Sequence, residues 1–409
     1  MRPLKIGVMV DRITPGATPK FLGREVRHLR ELGHDAEGVA IVDSGLPASG
    51  PQFEEYLGSI PIRYMSQEHR IFQRTDFRVP PFGFLRAFDI AAGYTMGHFL
   101  KSDVEPYDLL IAHGSITCWI ANKIWRARGI PYLAVLWDPI SFILDDVYRK
   151  RLPGPVFRAA MQLGVRVDRR LIDDALVTVT GSDWYAQMTK EYTGRTVEPL
   201  YPGVEVGETI PDSRGDFLVT LDRWDIGNMP IWLLDVLLGL TKPVKLKVAG
   251  FWWPEEMRVE FEKAVAARGL HNQVEILGPV SESQLIDLFS TARAMIFPHK
   301  AGINFAVMEA AANGCPTVMQ EGIDLFIHGE TGFFPSSGTG DREPADVLET
   351  HRPQDLSAFI RYTEMLVNDE RLAWRLGANA WELMKSYSWE HRVKRMEFLI
   401  DRRLQPQSD

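Results

Sequence analysis

The sequence predicts an α/β protein made of two doubly wound domains that face a cleft. Three observations support this prediction: short apolar runs alternate with longer helical patterns, the alternation occurs twice, and a turn-rich stretch near residue 200 separates the two series. Such alternation is typical of parallel sheets whose crossovers contain helices. A chain of 409 residues also has the length of at least two domains.

The first series begins with a buried strand over residues 5–10, followed by a loop that contains Gly16. Apolar residues at helical spacing then predict a helix over residues 21–32. Further strands are predicted at residues 36–42, 108–112, 131–137 and 175–180. One helix is predicted after His113-Gly114 and ends at residue 128, and another covers residues 155–174. Residues 44–106 have no regular pattern, and we predict that they are irregular.

The second series follows the polar, turn-like residues 211–216, which we interpret as an interdomain linker. Its strands are predicted at residues 217–221, 244–249, 274–277, 294–297 and 316–319, and its helices at residues 229–240, 254–268, 281–292 and 304–313. Three helical stretches end the chain, over residues 354–367, 370–386 and 389–404. Ligands in doubly wound domains bind beyond the carboxyl ends of strands, so the loops that follow strands are the candidate site.

Composition excludes several classes of protein. Hydrophobic residues make up 45% and charged residues 24%, as in ordinary globular proteins. The net charge is −8, with +2 in residues 1–200 and −10 in the remainder. An acidic protein with a mildly basic first half is not a general nucleic-acid binder, because phosphate contacts need clustered cations.

Redox and targeting signals are also few. The only cysteines, Cys118 and Cys315, lie in apolar surroundings, so we predict two buried free thiols and no zinc site. The apolar run at the N-terminus is too short for a signal peptide, and no stretch has the length of a membrane span. We therefore predict a cytoplasmic location.

Residues 297–334 contain the most informative pattern. A short apolar strand ends at Phe297 and leads through a glycine-bearing loop into a helix that opens near Asn304 and contains Glu309. Free N–H groups and the dipole at a helix N-terminus suit a phosphate. A carboxylate one turn further suits a sugar hydroxyl, as acidic residues bind ribose in dinucleotide folds. The pattern predicts a pocket for a nucleotide-sugar.

Five stretches, taken in order, resemble the family-4 retaining glycosyltransferases of the GT-B fold. GINFAVMEAAANGCPTV and EGIDLFIHGETGFF are similar to the two donor-site motifs of that family, and LYPGVEV resembles its linker. SYSWEHRVKRM resembles its closing helix, and PGATPKFLGREVRHLRELGHDAEGVAI resembles its N-terminal glycine loop and helix. Five motifs in the right order are hard to produce by chance. The resemblance implies a Rossmann-like acceptor domain, residues 1–202 completed by residues 389–409, and a nucleotide-sugar domain, residues 203–388.

The resemblance also implies an activity and its residues. The expected reaction moves a hexosyl or deoxyhexosyl group from a nucleotide diphosphate sugar to a hydroxyl on a glycan, a lipid-linked molecule or a small molecule. Retention of configuration is expected, without a metal or another cofactor. The residues that we expect to bind the donor are Gly16, Arg223, Lys300, Gly302, Asn304, Phe305, Glu309 and Asp324. Arg223 would pair with the diphosphate, and the expected catalytic residues are Arg223, His113 and Asp138.

Three positions depart from the family pattern. Ala301, Asn228 and Trp137 stand where the family has a glutamate, a lysine and a histidine. Lys300 or Lys20 could replace the missing positive charge. These departures motivate an alternative, a catalytically silent glycosyltransferase-like protein that binds a nucleotide-sugar or a partner enzyme. A third hypothesis, an epimerase of nucleotide-sugars, rests on fold analogy alone.

Several residues also have purely structural interpretations. Glu309 could face solvent, His113 could be a strand-end histidine bonded to backbone, and Asp324 could serve a turn. Trp137 with Asp138 could be a packing aromatic and a capping acid, or a platform for a sugar. Ser182 is predicted to be a helix N-cap.

The arginine-rich residues 149–170 also have two interpretations. They form a solvated helix face, as the acids Asp168, Asp173 and Asp174 suggest, or a patch that contacts the inner face of a membrane beside a lipid-linked acceptor.

Overall fold

The computed structural model describes most of the chain. The described residues are 2–13, 17–42, 55–66, 106–137, 139–149, 152–224, 230–252, 255–298, 304–320, 324–335 and 355–404. The chain divides into two compact units. Unit 1 is Met1–Gly203 with Trp389–Asp409, and unit 2 is Val204–Ser388.

Unit 1 contains a seven-stranded sheet in the order β3-β2-β1-β4-β5-β6-β7. Its strands are β1 Lys5–Arg12, β2 Asp35–Val42, β3 Ile62–Ser66, β4 Leu109–His113, β5 Tyr132–Leu136, β6 Val177–Thr180 and β7 Glu198–Pro199. All the pairings are parallel. The order reverses between β1 and β4, which makes this pair the switch point of a doubly wound sheet.

Unit 2 contains a six-stranded sheet in the order β10-β9-β8-β11-β12-β13. Its strands are β8 Phe217–Trp224, β9 Lys245–Trp252, β10 Val274–Gly278, β11 Ala294–Phe297, β12 Thr317–Met319 and β13 Gly332–Phe333. These pairings are parallel as well, and the switch point lies between β8 and β11. The predicted architecture of two parallel α/β sheets is therefore confirmed.

Helices connect the strands in both units. In chain order they are α1 Ala17–Glu31, α2 Ser115–Arg128, α3 Ile140–Tyr148, α4 Gly154–Asp174, α5 Asp183–Thr193, α6 Ile231–Gly239, α7 Glu256–Ala267, α8 Glu282–Thr291, α9 Phe305–Ala312, α10 Leu356–Asn368, α11 Glu370–Met384 and α12 Trp389–Leu404. The last helix, α12, belongs to unit 1.

Each unit has its own hydrophobic core between sheet and helices. In unit 1, Leu110 and Tyr132 of the sheet pack with Ile120 and Ile124 of α2. In unit 2, Trp224 and Trp232 belong to the same core cluster as Phe261 of α7 and Phe359 of α10. Every residue of β4, β5 and β11 is buried, as expected for parallel strands that are covered by helices on both faces.

Five of the described elements were not predicted from the sequence: β3, β7, β13, α3 and α5. Residues 44–106 are not irregular throughout, because β3 pairs with β2 along Ile62–Ser66. Helices α3 and α5 were not predicted. For α5 the signals were present, since the Ser182 hydroxyl accepts a hydrogen bond from the Tyr185 N–H and Gly194 ends the helix in a left-handed conformation. Ser182 is thus an N-cap, as predicted.

Residues 211–216 lie inside unit 2 and do not link the two units, although Asp212, Ser213 and Asp216 are exposed. Arg214 is buried inside unit 2, and its guanidinium donates to the carbonyl oxygens of Phe289 (3.1 Å), Ser290 (2.7 Å) and Gly314. The polar composition of this segment serves hydrogen bonds within the unit. The predicted thiols are confirmed, because Cys118 and Cys315 are free and buried.

Candidate functional site

The switch point of unit 2 brings two predicted donor-site regions to neighbouring strands. β8 and β11 pair side by side, and Met295 lies opposite Val219. Arg223 lies at the carboxyl end of β8, and Asn304 follows β11 along the chain. Crevices at such switch points are where doubly wound domains bind ligands.

Arg223 lies inside β8 rather than in the loop after it. The sequence predicted that this strand ends at Leu221, but β8 continues to Trp224 because Asp222, Arg223 and Trp224 pair with residues of β9. Leu221 is level with Phe297, the last residue of β11, so the final three residues of β8 extend beyond that neighbour. The Arg223 side chain is exposed at this edge.

Asn304 caps α9 with its own side chain. Its Oδ1 accepts hydrogen bonds from the N–H groups of Ala306 (2.8 Å) and Val307 (3.3 Å). We predicted that this helix N-terminus offers its amides to a phosphate, but these two amides are already bound by Asn304. The cap leaves the helix dipole in place, and the dipole continues to favour an anion near Phe305.

Glu309 is buried, with 8% of its surface exposed. It lies on the second turn of α9, whose residues Ala306–Ala312 are all buried. The interpretation of Glu309 as a solvent-facing helix residue is therefore wrong. Burying a carboxylate is costly unless it has partners, which is a reason to expect a specific role for this side chain.

The other predicted donor residues have mixed outcomes. Phe305 is half-buried at the first position of α9, and Asp324 is exposed on a turn. Lys20 is buried on α1, with its ammonium 5.3 Å from the centre of the Tyr56 ring. The predicted residues Gly16, Asp138, Lys300 and Gly302, together with the departures Ala301 and Asn228, lie outside the described residues.

At the switch point of unit 1, His113 ends β4 and is buried. Its Nε2 lies 2.8 Å from Oε1 of Glu25 on α1. Its Nδ1 accepts a hydrogen bond from the indole N–H of Trp137 at 3.3 Å. Because Nδ1 accepts, the proton on Nε2 is donated to Glu25. The interpretation of His113 as bonded to backbone through its ring is wrong, since both ring nitrogens bind side chains.

Glu25 connects this histidine to the C-terminal helix. Its second oxygen lies 3.3 Å from Nε of Arg392 on α12, and both side chains are buried. Arg392 also donates to the carbonyl oxygens of Leu200 (2.8 Å) and Tyr201 (2.7 Å), and its guanidinium lies 5.5 Å from the centre of the Trp137 ring. One carboxylate on α1 thus binds side chains from two other elements of unit 1, β4 and α12.

The charges of this cluster control its protonation. Burial alone raises the pKa of Glu25, but the interactions of its carboxylate with His113 and with the Arg392 guanidinium outweigh burial and hold the pKa below its usual value. Glu25 is therefore an ionised carboxylate in the core of unit 1. Trp137 is half-buried and packs against the rings of Phe21 (6.2 Å between centres) and His113 (5.9 Å), and its role as a platform for a sugar stays a prediction.

Sequence reasoning missed Glu25 and Arg392, although a signal existed. Glu25 falls on the apolar stripe of α1 between Leu22 and Val26. Arg392 falls on the apolar stripe of α12 between Trp389 and Val393. A charged residue on each of two apolar stripes indicates a buried ion pair.

The arginine-rich segment contains an acid with an unexpected role. Asp168 was interpreted as a surface acid, but it is fully buried and accepts hydrogen bonds from the N–H groups of Ile140 (3.0 Å) and Ser141 (2.8 Å). Asp168 is part of α4, and its carboxylate therefore caps the N-terminus of the neighbouring helix α3. Burial raises its pKa to about 6, although the hydrogen bonds from Ser141 and Ile140 oppose the shift.

Within the described ranges, no three His, Cys, Asp or Glu side chains are arranged to hold a metal ion. Likewise, none of the helices found there combines the length and apolarity needed to cross a bilayer.

Comparison with known proteins gives the class of this fold and site. Residues 228–349 match the model of the family described as glycosyl transferases, group 1. This segment contains α9, Glu309 and the turn at Asp324. No curated protein matches the sequence.

Solved structures match along nearly the whole chain. HepE from Anabaena, solved with UDP and glucose, has 15% identity and a TM-score of 0.68, covering 98% of this chain and 100% of its own. Sucrose-phosphate synthase from Thermosynechococcus elongatus has 15% identity and a TM-score of 0.68, covering 97% and 98%. S. aureus TarM has 10% identity and a TM-score of 0.67, covering 97% and 100%. The fold is thus GT-B, and residues 228–349 within it match the glycosyl transferases group 1 family. The resemblance predicted from the motifs is confirmed at this level, and the family-4 subtype stays a prediction.

Proposed function

We propose that the protein is a retaining glycosyltransferase that moves a sugar from a nucleoside diphosphate sugar to a hydroxyl acceptor. One observation carries the proposal: the segment that matches the glycosyl transferase family contains a buried carboxylate, Glu309, on a capped helix at the switch point of unit 2. A buried carboxylate at such a crevice suits the hydroxyl groups of a ribose. This role of Glu309 is part of the proposal.

The chemistry requires that the charge on the departing diphosphate be stabilised. Arg223 is exposed at the end of β8, where its guanidinium can bind two phosphate oxygens at once. The N-terminal dipole of α9 adds a second favourable charge. Because Asn304 holds the amides of Ala306 and Val307, we assign the phosphates to Arg223 and the dipole rather than to those amides.

Retention is proposed to follow from a same-face displacement. The bond from the anomeric carbon to the diphosphate oxygen breaks, the acceptor oxygen bonds to the same face, and the leaving phosphate takes the acceptor's proton. No carboxylate nucleophile and no metal are needed in this scheme. His113 and Asp138 remain proposed residues of the acceptor side, where the carboxyl ends of β4 and β5 lie.

The donor is proposed to be a UDP-sugar, because HepE was solved with UDP-glucose as well as with UDP. We propose a cytoplasmic enzyme with a glycan, lipid-linked or small-molecule acceptor.

A hydrolysis screen tests this function. UDP-, GDP-, ADP- and dTDP-sugars are incubated with the full chain, with and without EDTA, and release of free nucleoside diphosphate is measured. We expect turnover with at least one donor, undiminished by EDTA, and NMR of a transfer product should show the donor's anomeric configuration. An inverted product would refute retention, and loss of turnover in EDTA would refute metal independence.

The second candidate is a catalytically silent relative that binds a nucleotide-sugar or a partner enzyme. Two observations favour it: the departures at Ala301, Asn228 and Trp137, and the engagement of both ring nitrogens of His113 by Glu25 and Trp137. The same screen discriminates, because this candidate predicts tight donor binding in calorimetry without turnover. Conversion of a donor into a sugar isomer without an acceptor would instead indicate an epimerase.

A further inference from the structure

Helix α4 of unit 1 has an inner face that is fully accounted for by packing. Phe157, Ala160 and Met161 pack against the cluster of Ile140, Leu144 and Tyr148 on α3. The two helices approach so closely at Gly164 that a Cβ there would lie 2.7 Å from Cδ1 of Leu144. The orientation of α4 is therefore fixed, and the opposite face is held outward.

That outer face is apolar along one row. Val156 is 52% exposed and Leu163 is 63% exposed. They are seven positions apart, so they lie on one side of the helix two turns from each other, and the exposed Ala159 lies between them. Large apolar side chains that are exposed in a row mark an interaction surface more often than chance placement does.

The adjacent row is cationic. Arg158 and Arg166 are exposed and lie eight positions apart, with Gln162 between them on the same row. Residues 150–167 contain four Lys and Arg residues and no Asp or Glu, in a chain whose net charge is −8, whereas the preceding Arg149 is paired with Asp145. Local charge and global charge therefore have opposite signs.

The acids nearest in sequence leave this row uncompensated. Asp168 is a buried residue of α4 and caps α3. Asp173 pairs with Arg195, and Asp174 pairs with Arg126. Among the described residues, neither Arg158 nor Arg166 forms an ion pair.

We propose that the outer face of α4 binds the surface of a membrane that contains anionic phospholipids. A helix that lies in the interface places its apolar row among the acyl chains and its cations at the lipid phosphates. Val156, Ala159 and Leu163 supply the first contact, and Arg158 and Arg166 supply the second. The cationic row favours binding to an anionic surface. The apolar row favours binding to a membrane rather than to a soluble polyanion.

Vesicle sedimentation with the full-length protein tests the proposal. Vesicles contain phosphatidylcholine alone or mixed with phosphatidylglycerol, and the bound fraction is measured at low and at high salt. We expect binding to the mixed vesicles at low salt, release at high salt, and no binding to phosphatidylcholine alone. Each arginine near an anionic surface contributes about a fivefold gain in partitioning, so R158Q/R166Q should weaken binding by more than about tenfold.

Two further variants complete the design. V156S/L163S should also weaken binding, and R402Q/R403Q, which removes two exposed arginines from α12, should bind like the unmodified protein. Thermal unfolding followed by circular dichroism verifies that each variant folds. The proposal is overturned if the unmodified protein stays in the supernatant at low salt, or if R402Q/R403Q loses as much binding as R158Q/R166Q. Full binding by V156S/L163S also overturns it, because the face would then be a site for soluble polyanions. Calorimetry with UDP reports on the donor site independently of every vesicle result.

Discussion

Glu25 and Arg392 form a buried ion pair across 367 positions of the sequence, with 3.3 Å between Oε2 of Glu25 and Nε of Arg392. The pair joins the first helix of unit 1 to the last helix of the chain. Because the same carboxylate binds His113 at the end of β4, the ion pair also fixes a residue at the switch point of the sheet. The C-terminal helix therefore contributes to the arrangement of the predicted acceptor side within unit 1.

Replacing Glu25 by Gln is expected to destabilise unit 1 by about 3–5 kcal/mol, since it leaves the buried Arg392 guanidinium without a compensating charge. The measurement is the free energy of unfolding from urea denaturation followed by tryptophan fluorescence. The matched control is Glu198→Gln, which breaks the half-exposed contact with Arg395 (3.7 Å) and should cost less than about 1 kcal/mol. An equal loss of unfolding free energy in the two variants would show that the buried ion pair stabilises the protein no more than the half-exposed one.

Asp168 predicts an unusual pH dependence. Its pKa rises from 3.8 in the unfolded chain to about 6 in the folded protein, so the folded state binds the proton more tightly. The stability contributed by this group is therefore fully present below about pH 4 and is lost as the pH rises through about 6, a change of about 3 kcal/mol.

Asp168→Asn should remove this part of the pH dependence, because an amide does not titrate. Chemical denaturation at several pH values between 4 and 7 measures the slope for both proteins. An identical slope in the variant and in the unmodified protein would contradict the assignment.

Glu309→Gln tests the proposed donor site. If the carboxylate accepts hydrogen bonds from ribose hydroxyls, its charge contributes about 1.5–3 kcal/mol, and the dissociation constant for UDP should rise about tenfold to a hundredfold. Isothermal titration calorimetry measures this change. The control Glu382→Gln removes an exposed carboxylate that pairs with Lys385 and should leave UDP affinity unchanged, and an unchanged affinity in Glu309→Gln would remove Glu309 from the site.

Arg223→Lys separates charge from geometry. A lysine keeps the positive charge but cannot bind two phosphate oxygens in the planar, two-pronged manner of a guanidinium. UDP affinity should fall about tenfold, by about 1.4 kcal/mol, whereas uridine, which lacks phosphates, should bind both proteins equally. Calorimetry with both ligands provides the readout, and a parallel loss of uridine binding would indicate a folding defect rather than a lost phosphate contact.

Gly203→Ala tests the packing of α12 within unit 1. A Cβ at this glycine would lie 2.5 Å from Cδ2 of the buried Trp389, and such overpacking costs about 1–3 kcal/mol. The midpoint of thermal unfolding should therefore fall. Gly154→Ala is the control, because the nearest atom to its added Cβ lies 3.7 Å away, and a comparable fall in that variant would point to a general effect of the substitution.

The sequence was sufficient for the elements whose residues are buried on every side. β4, β5 and β11 are continuous apolar runs, because parallel strands lie between two layers of helices. It was insufficient for β3, an edge strand in which Ile62–Met65 are only half-buried, and for the end of β8, where the polar pair Asp222 and Arg223 resembles a turn but continues the pairing with β9.

The candidate site was predictable where one local motif contains it. Asn304 and Glu309 are part of a single strand–loop–helix pattern, and the structure shows that pattern. The cluster of His113, Glu25 and Arg392 was not predictable in the same way, because its members lie far apart in the chain and meet only through tertiary packing. Their position on apolar helix stripes is the local signal that such a cluster exists.

The chain order of the two units has a consequence for biosynthesis. Unit 2 is continuous, whereas unit 1 is completed only by its last helix. The ribosome therefore synthesises every residue of unit 2 before it adds Arg392, the partner of Glu25. Unit 2 can thus fold before unit 1 is complete, which reverses the usual N-terminal-first order of domain folding. Until Arg392 has left the ribosome, the first half of unit 1 lacks the cation that compensates the Glu25 carboxylate in the folded unit.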